Sequence, residues 1–283
     1  MRWDEEIGFL SEKHAVPSEL KKPDFETRLP SHSRRGLITS TFVPLKSASS
    51  VVSVSHQIIL RNIQLHIDAD MVLRGQGADP AVLRARKPRL VEIAEQAVRE
   101  GAKLIEPAAV YRFAPIETMK HERLILTASA PLTGSLIAQH LSPAHYLALI
   151  VCTVGAAIDD RIAALMPRDP AYALALDGYG SAAAEALGTE ICARLEQDAA
   201  RSGHCASVPI SPGMVGWPVE VGQPQIFSNL DADAIGVTLN DSAQMIPRKS
   251  ISLVLGFAPT PFEAGTPCDF CALRHTCRYQ HHA

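Results

Sequence analysis

The sequence lacks a strong charge of either sign. Its 283 residues carry 27 Lys and Arg against 30 Asp and Glu, a net charge of −3, so no electrostatic footprint favours a nucleic-acid partner. It also lacks an apolar run long enough for a bilayer. The longest, residues 146–158, is broken by Gly155 and followed by Asp159, Asp160 and Arg161, whereas a span needs about 20 residues. That run reads as core, and no membrane is expected. No apolar segment with a small-residue cleavage site accompanies Arg2, Asp4, Glu5 and Glu6, which predicts a cytoplasmic address. Cofactor fingerprints are scarce too. Gly75-Gln-Gly77 has neither the third glycine nor the preceding strand of a dinucleotide-binding turn, no phosphate loop is present, and the histidines show no metalloprotease spacing. Internal repeats and low-complexity stretches are absent.

What is present divides by texture. Residues 1–50 are polar and weakly periodic, with Pro23, Pro30, Arg34 and Arg35, and read as an arm or linker. Strands are predicted at 51–54 and 57–60. A helix over 81–101 follows from Leu83, Leu90, Ile93, Ala94 and Val98, with Gly101 as its stop. Residues 103–113 suit a strand that Pro107 places at an edge or a break. From residue 133 the chain is predicted helical, over 136–141, 144–153, 158–166 and 172–200. In the last of these Leu187, Ile191 and Leu195 form one apolar stripe. A loop is marked by Pro209, Pro212, Gly213, Gly216 and Pro218, and residues 235–239 and 250–257 read as strands. The order predicts an α+β fold, an antiparallel sheet flanked by helices. Residues 51–126 then form an N-terminal α/β subregion and 258–283 a cysteine-rich tail.

Three of the six cysteines, Cys268, Cys271 and Cys277, crowd into ten residues. In a reducing compartment that crowding suits a shared metal better than disulfides. Two residues between the first two thiolates let one short turn direct both sulfurs at one centre. Arg274 and Arg278 would lower the thiol pKa values and offset the negative charge. An iron-sulfur cubane takes four ligands, so the fourth is Cys205, Cys192, Cys152, a histidine or an exogenous molecule. For zinc, His275, His281 or His282 would complete a Cys3His tetrahedron. Cys152 and Cys192 lie in apolar stretches, where a cysteine most often serves as a small hydrophobe.

Further residues carry a resemblance. The segments Ile226-Phe-Ser-Asn-Leu-Asp, Ile235-Gly-Val-Thr-Leu-Asn-Asp-Ser and Met245-Ile-Pro-Arg-Lys-Ser-Ile-Ser resemble the activation domain of cobalamin-dependent methionine synthase. Ser211-Pro-Gly-Met resembles that family's Arg-x-x-Pro-Gly-Tyr loop, and residues 179–195, with Ala184-Glu-Ala-Leu, resemble its long helix. The likeness covers residues 127–257. It implies an activation-domain-like fold that binds S-adenosylmethionine and presents it to the cobalamin of a neighbouring module, which is reduced and methylated back into service. Carried over singly, Glu185 matches the acidic residue of the long helix, and Pro212 and Gly213 match the loop that approaches the ligand. Pro209 replaces the loop arginine and Met214 the loop tyrosine, which removes a charged donor and an aromatic hydroxyl.

The tail resembles those of stand-alone relatives associated with corrinoid methyltransferases. In that context it is expected to hold an iron-sulfur cluster of the 4Fe-4S type on Cys268, Cys271, Cys277 and Cys205. The expected role is an accessory activase that passes an electron to an inactive corrinoid protein or cobalamin-dependent methyltransferase. A non-catalytic binding or assembly module with structural zinc is the alternative. Plainer readings stand beside these. Glu185 lies almost opposite the apolar stripe, which suits a solvated carboxylate. Trp217 suits either a flat cofactor or a core cap. Arg248 and Lys249 suit an anion or, more commonly, a solvated face.

Overall fold

The computed structural model describes residues 56–272, 274 and 275. The arm, the strand expected at 51–54, Cys277, His281 and His282 lie outside the described residues. The elements, in order, are β1 (Ile58–Arg61), α1 (Ala69–Gly75), α2 (Pro80–Arg86), α3 (Pro88–Leu104), β2 (Ala108–Lys120), β3 (Arg123–Leu126) and β4 (Leu132–Thr133). They continue with α4 (Ser135–Leu141), β5 (Tyr146–Thr153), α5 (Ala157–Leu165), α6 (Pro170–Arg201), β6 (Cys205–Ala206), α7 (Val219–Phe227), β7 (Thr238–Leu239), β8 (Met245–Ile246) and β9 (Ser250–Ala258).

The architecture is α+β. One antiparallel sheet runs β4-β3-β2-β5-β9-β6, with β1 also paired to β2, and β7 and β8 form a separate ribbon. β2 pairs with β5 along residues 108–115 and with β3 beyond Ile116, where the register shifts. Segments on either side of residue 126 therefore share one sheet. A helical layer of α1, α3, α5 and α6 covers one face. On the other face α4, α7 and the 207–218 loop enclose a second core. Among the described residues no helix is long and apolar enough to cross a membrane.

The helix expected over 144–153 is a strand, β5, at the centre of the sheet. Alternation explains the error. Ala148, Ile150 and Cys152 enter the first core, while Leu147, Leu149 and Val151 enter the second. A strand covered on both faces is apolar throughout and loses the period-2 signal that separates it from a helix. The helix expected over 81–101 is two, because Pro88 opens α3 directly after α2. The strand expected at 235–239 keeps only Thr238 and Leu239, since Ala232–Ile235 is a 3-10 turn closed by Gly236 in the left-handed region.

The helix expected over 172–200 is the 32-residue α6, which starts two residues earlier, at Pro170. Pro170 occupies the first turn, and the Asp169 side chain accepts from Tyr172 N–H at 3.1 Å, satisfying an otherwise orphaned donor. Leu187, Ile191 and Leu195 are all buried against the sheet-side core. In the first third of α6, at Gly178, α1 crosses it at backbone contact. A Cβ on Gly75 would lie 2.5 Å from Gly178 O, so only glycine permits this crossing.

Candidate functional site

Between β6 and α7 the chain forms the loop that contains Pro209, Pro212, Gly213 and Met214. Its first part is an extension of the sheet. Ile210 exchanges both backbone bonds with Val254 at 3.0 and 2.8 Å, and Ser207 N–H donates to Gly256 O while its Oγ accepts from Gly256 N–H. Beyond Ser211 the loop folds on itself. Met214 N–H donates to Ser211 O, Trp217 N–H to Met214 O, and Gly213 N–H to Trp217 O at 2.7 Å. Gly213 and Gly216, at φ of +100° and +89°, supply the left-handed conformations these reversals require. The Met214 sulfur accepts the Ser211 N–H at 3.4 Å, so the thioether closes the turn from within.

Trp217 anchors the loop. It is fully buried, and its Nε1–H donates to Gln225 Oε1 at 3.2 Å. That oxygen also accepts Thr133 N–H, while Gln225 Nε2 donates to Thr133 Oγ1. Four residues on, Asn229 pairs with both backbone groups of Ala130. The indole thus caps the core, and the reading of it as a cofactor platform is set aside. Gln225 of α7 and Asn229 just beyond it thus clamp β4 and the connection that leads into it, and no periodicity in the sequence marks them.

The tail returns to the same loop. Thr266 and Asp269 form a reciprocal capping box around the 3-10 turn Pro267–Phe270, with Thr266 N–H donating to Asp269 Oδ2 at 2.7 Å. Those bonds hold the Asp269 carboxyl below the usual carboxylate range. Cys271 N–H donates to Cys268 O at 3.2 Å, and both cysteines are half-buried. Between them Phe270 packs on the second core, its ring 4.7 Å from that of His140. The carbonyl of Phe270 accepts Val215 N–H at 3.0 Å. His140, in α4, makes a 3.0 Å hydrogen bond from Nε2 to Val208 O. Phe270 and His140 were not among the expected site residues. Nothing in the sequence sets Phe270 apart from Phe262, the other phenylalanine of the tail.

The fold thus gathers Pro212, Gly213, Cys268 and Cys271 around one loop. Cys205 is in β6 opposite Ala258, and among the described residues no three His, Cys, Asp or Glu side chains converge as for one ion. Among the described residues Cys205 does not group with that pair. Neither do Cys152 and Cys192, which are buried in the core on the opposite face of the sheet. Glu185 is exposed on α6. Its carboxyl nonetheless lies above the ordinary range because the domain behind it removes part of its hydration. Lys249 is not a solvated residue. It is buried, bonded to Asp177 and Ser181, whereas Arg248 is exposed and donates its backbone N–H to Asp159 at 2.7 Å.

No family model matches the chain, and no curated protein does. Among solved structures it is similar to the crystal structure of the MetH reactivation domain bound to AdoHcy, at 14% identity and a TM-score of 0.54. That likeness covers 72% of this chain and 79% of the other. The α+β architecture of this chain, with its antiparallel sheet and flanking helices, is therefore compatible with the fold of that reactivation domain.

Proposed function

We propose that this chain is a reactivation module that docks on a corrinoid protein, holds S-adenosylmethionine at the 209–217 loop and carries a metal on its cysteine tail. The reading is supported above all by one juxtaposition. A fold shared with a domain solved with AdoHcy here bears a Cys-x-x-Cys turn seated directly on the candidate ligand loop. Cys268, Cys271 and Cys277 are the proposed ligands, with the fourth position left to an exogenous group or a histidine. An iron-sulfur cluster on them would supply low-potential electrons.

The chain's own residues have three tasks. Pro212 and Gly213 set the path of the loop beside the ligand, Glu185 offers an acidic contact from α6, and the Thr266–Asp269 box fixes the turn that carries Cys268 and Cys271. Reduction of an inactive corrinoid is uphill, and methyl transfer from S-adenosylmethionine removes its product and draws it forward. With Pro209 and Met214 in place of an arginine and a tyrosine, the loop offers fewer side-chain donors, so weak binding of the nucleoside is expected.

The test is anaerobic purification of the full chain, with an absorption spectrum and iron and sulfide analysis. Iron with acid-labile sulfide is expected. Zinc without iron would remove the electron-transfer role and leave a metal that staples the tail to the fold. Calorimetry with AdoHcy tests the loop separately, and absence of heat at millimolar ligand would refute that half of the proposal.

A further inference from the structure

We infer that Phe270 is a positioning residue that links the state of the Cys268–Cys271 pair to the conformation of the 211–217 loop. The inference deepens the reading of the tail as a ligand-bearing segment, and it rests on contacts that exist without any metal.

Consider first the turn. Between Thr266 and Cys271 the backbone is fixed by Asp269 N–H to Thr266 O, Cys271 N–H to Cys268 O, and the two bonds from Thr266 to Asp269 Oδ2. A segment so closed moves as one piece, and a change at either thiol is passed to Phe270. Phe270 in turn is attached at two points. Its ring meets His140 in α4, and its carbonyl holds Val215 N–H. Val215 is 61% exposed, so the tie between tail and loop at this point runs through the backbone bond. From Val215 the path is short. Met214 O accepts Trp217 N–H, and Trp217 O accepts Gly213 N–H, so the loop cannot shift at Val215 without straining a turn whose other end is a fully buried indole. Coupling carried this way is reciprocal: what the cysteines bind alters the loop, and what the loop binds alters the cysteines by the same factor.

Trp217 also supplies the readout, since the chain has two tryptophans and a Trp3→Phe background leaves Trp217 as the sole indole emitter. In that background the full-length, reduced protein is titrated with Zn²⁺ as the probe, and zinc stoichiometry is measured alongside Trp217 emission. Zinc is expected to shift the emission of the parent. Phe270→Ala keeps the carbonyl that holds Val215 but loses the ring that seats it against His140, so it is expected to bind zinc with little of the shift and about fivefold or more weakly, the low end of typical coupling factors. Phe270→Leu, which keeps an apolar anchor, is expected to restore part of both. An equal shift in Phe270→Ala, or bound zinc with no shift in the parent, would overturn the link.

Failure of the metal reading is distinguished by a second arm. If no metal binds, the pair is perturbed covalently, by alkylating Cys268 and Cys271 with iodoacetamide in a Cys205→Ser, Cys277→Ser background. Alkylation is then expected to move Trp217 emission in the parent and little in Phe270→Ala. Emission that ignores alkylation in the parent would overturn the inference whatever the tail binds.

Discussion

Lys249, immediately before β9, donates from Nζ to Asp177 Oδ1 in α6 at 2.7 Å and to Ser181 Oγ at 2.9 Å. The ammonium is nearly enclosed, its side chain 9% exposed, whereas that of Asp177 is 33% exposed. The two partners are therefore unequal. Asp177→Ala strands a buried cation and is expected to cost about 2–4 kcal/mol. Lys249→Met leaves a carboxylate that water still reaches, and the expected cost is about 1 kcal/mol. Urea denaturation of both variants checks the order, and a reversed order would refute this burial.

Glu100 accepts the Tyr172 hydroxyl at 2.6 Å and Arg161 Nε at 2.6 Å. The tyrosine bond foremost, then the arginine, hold its carboxyl below the ordinary range. A carboxylate depressed in the folded state stabilises it above the unfolded value of about 4.3, and that contribution is lost as pH falls through the folded pKa. Tyr172→Phe is expected to cost about 1.5 kcal/mol near neutrality, in the range for hydrogen bonds to charged groups. The difference from the parent should shrink in acid, and a gap constant from pH 7 to pH 3 would contradict the assignment.

The cysteines should fall into two classes of reactivity. Cys152 and Cys192 are buried among apolar side chains, and loss of hydration pushes the Cys152 thiol far up and the Cys192 thiol up to about 12. Both are expected to alkylate only as fast as the core opens. Cys205 and Cys271, half-buried at the surface, should react in the native protein. Mass spectrometry of peptides from briefly treated protein measures this, and early label on Cys152 would show that β5 is not the central strand.

For Glu185 stability and binding should part company. Its carboxyl is raised by desolvation, so ionisation is less favourable in the folded chain, and the resulting penalty sets in as pH rises through the unfolded value and is complete above the folded one. Glu185→Gln is thus expected to be at least as stable as the parent at pH 7 in thermal melts. If Glu185 contacts the nucleoside as proposed, AdoHcy affinity should fall in the same variant. A loss of stability at pH 7 would instead reveal a cationic partner for the ionised group.

Much of the helical layer was legible in the sequence because its signals are local. Leu187, Ile191 and Leu195 mark the buried side of α6, and each acts within a turn or two of itself. The same holds for the loop at Pro212 and Gly213, where backbone angles follow from residue type. Legibility failed wherever a residue's role depends on what lies opposite. Tyr146 to Thr153 reads as a plain apolar run because helices and the loop cover both sides of β5. Lys249 reads as solvated until Asp177, remote in sequence, is brought against it.

The tail shows the division most plainly. Sequence alone determined the Cys-x-x-Cys spacing, which is contained in the single turn that carries Cys268 and Cys271. Only the tertiary structure decided that this turn rests on the 211–217 loop, that Phe270 fits against His140, and that Cys205 stays apart in β6. The physical reason is that spacing fixes geometry over a few bonds, whereas contacts between distant segments are selected by packing of the whole core.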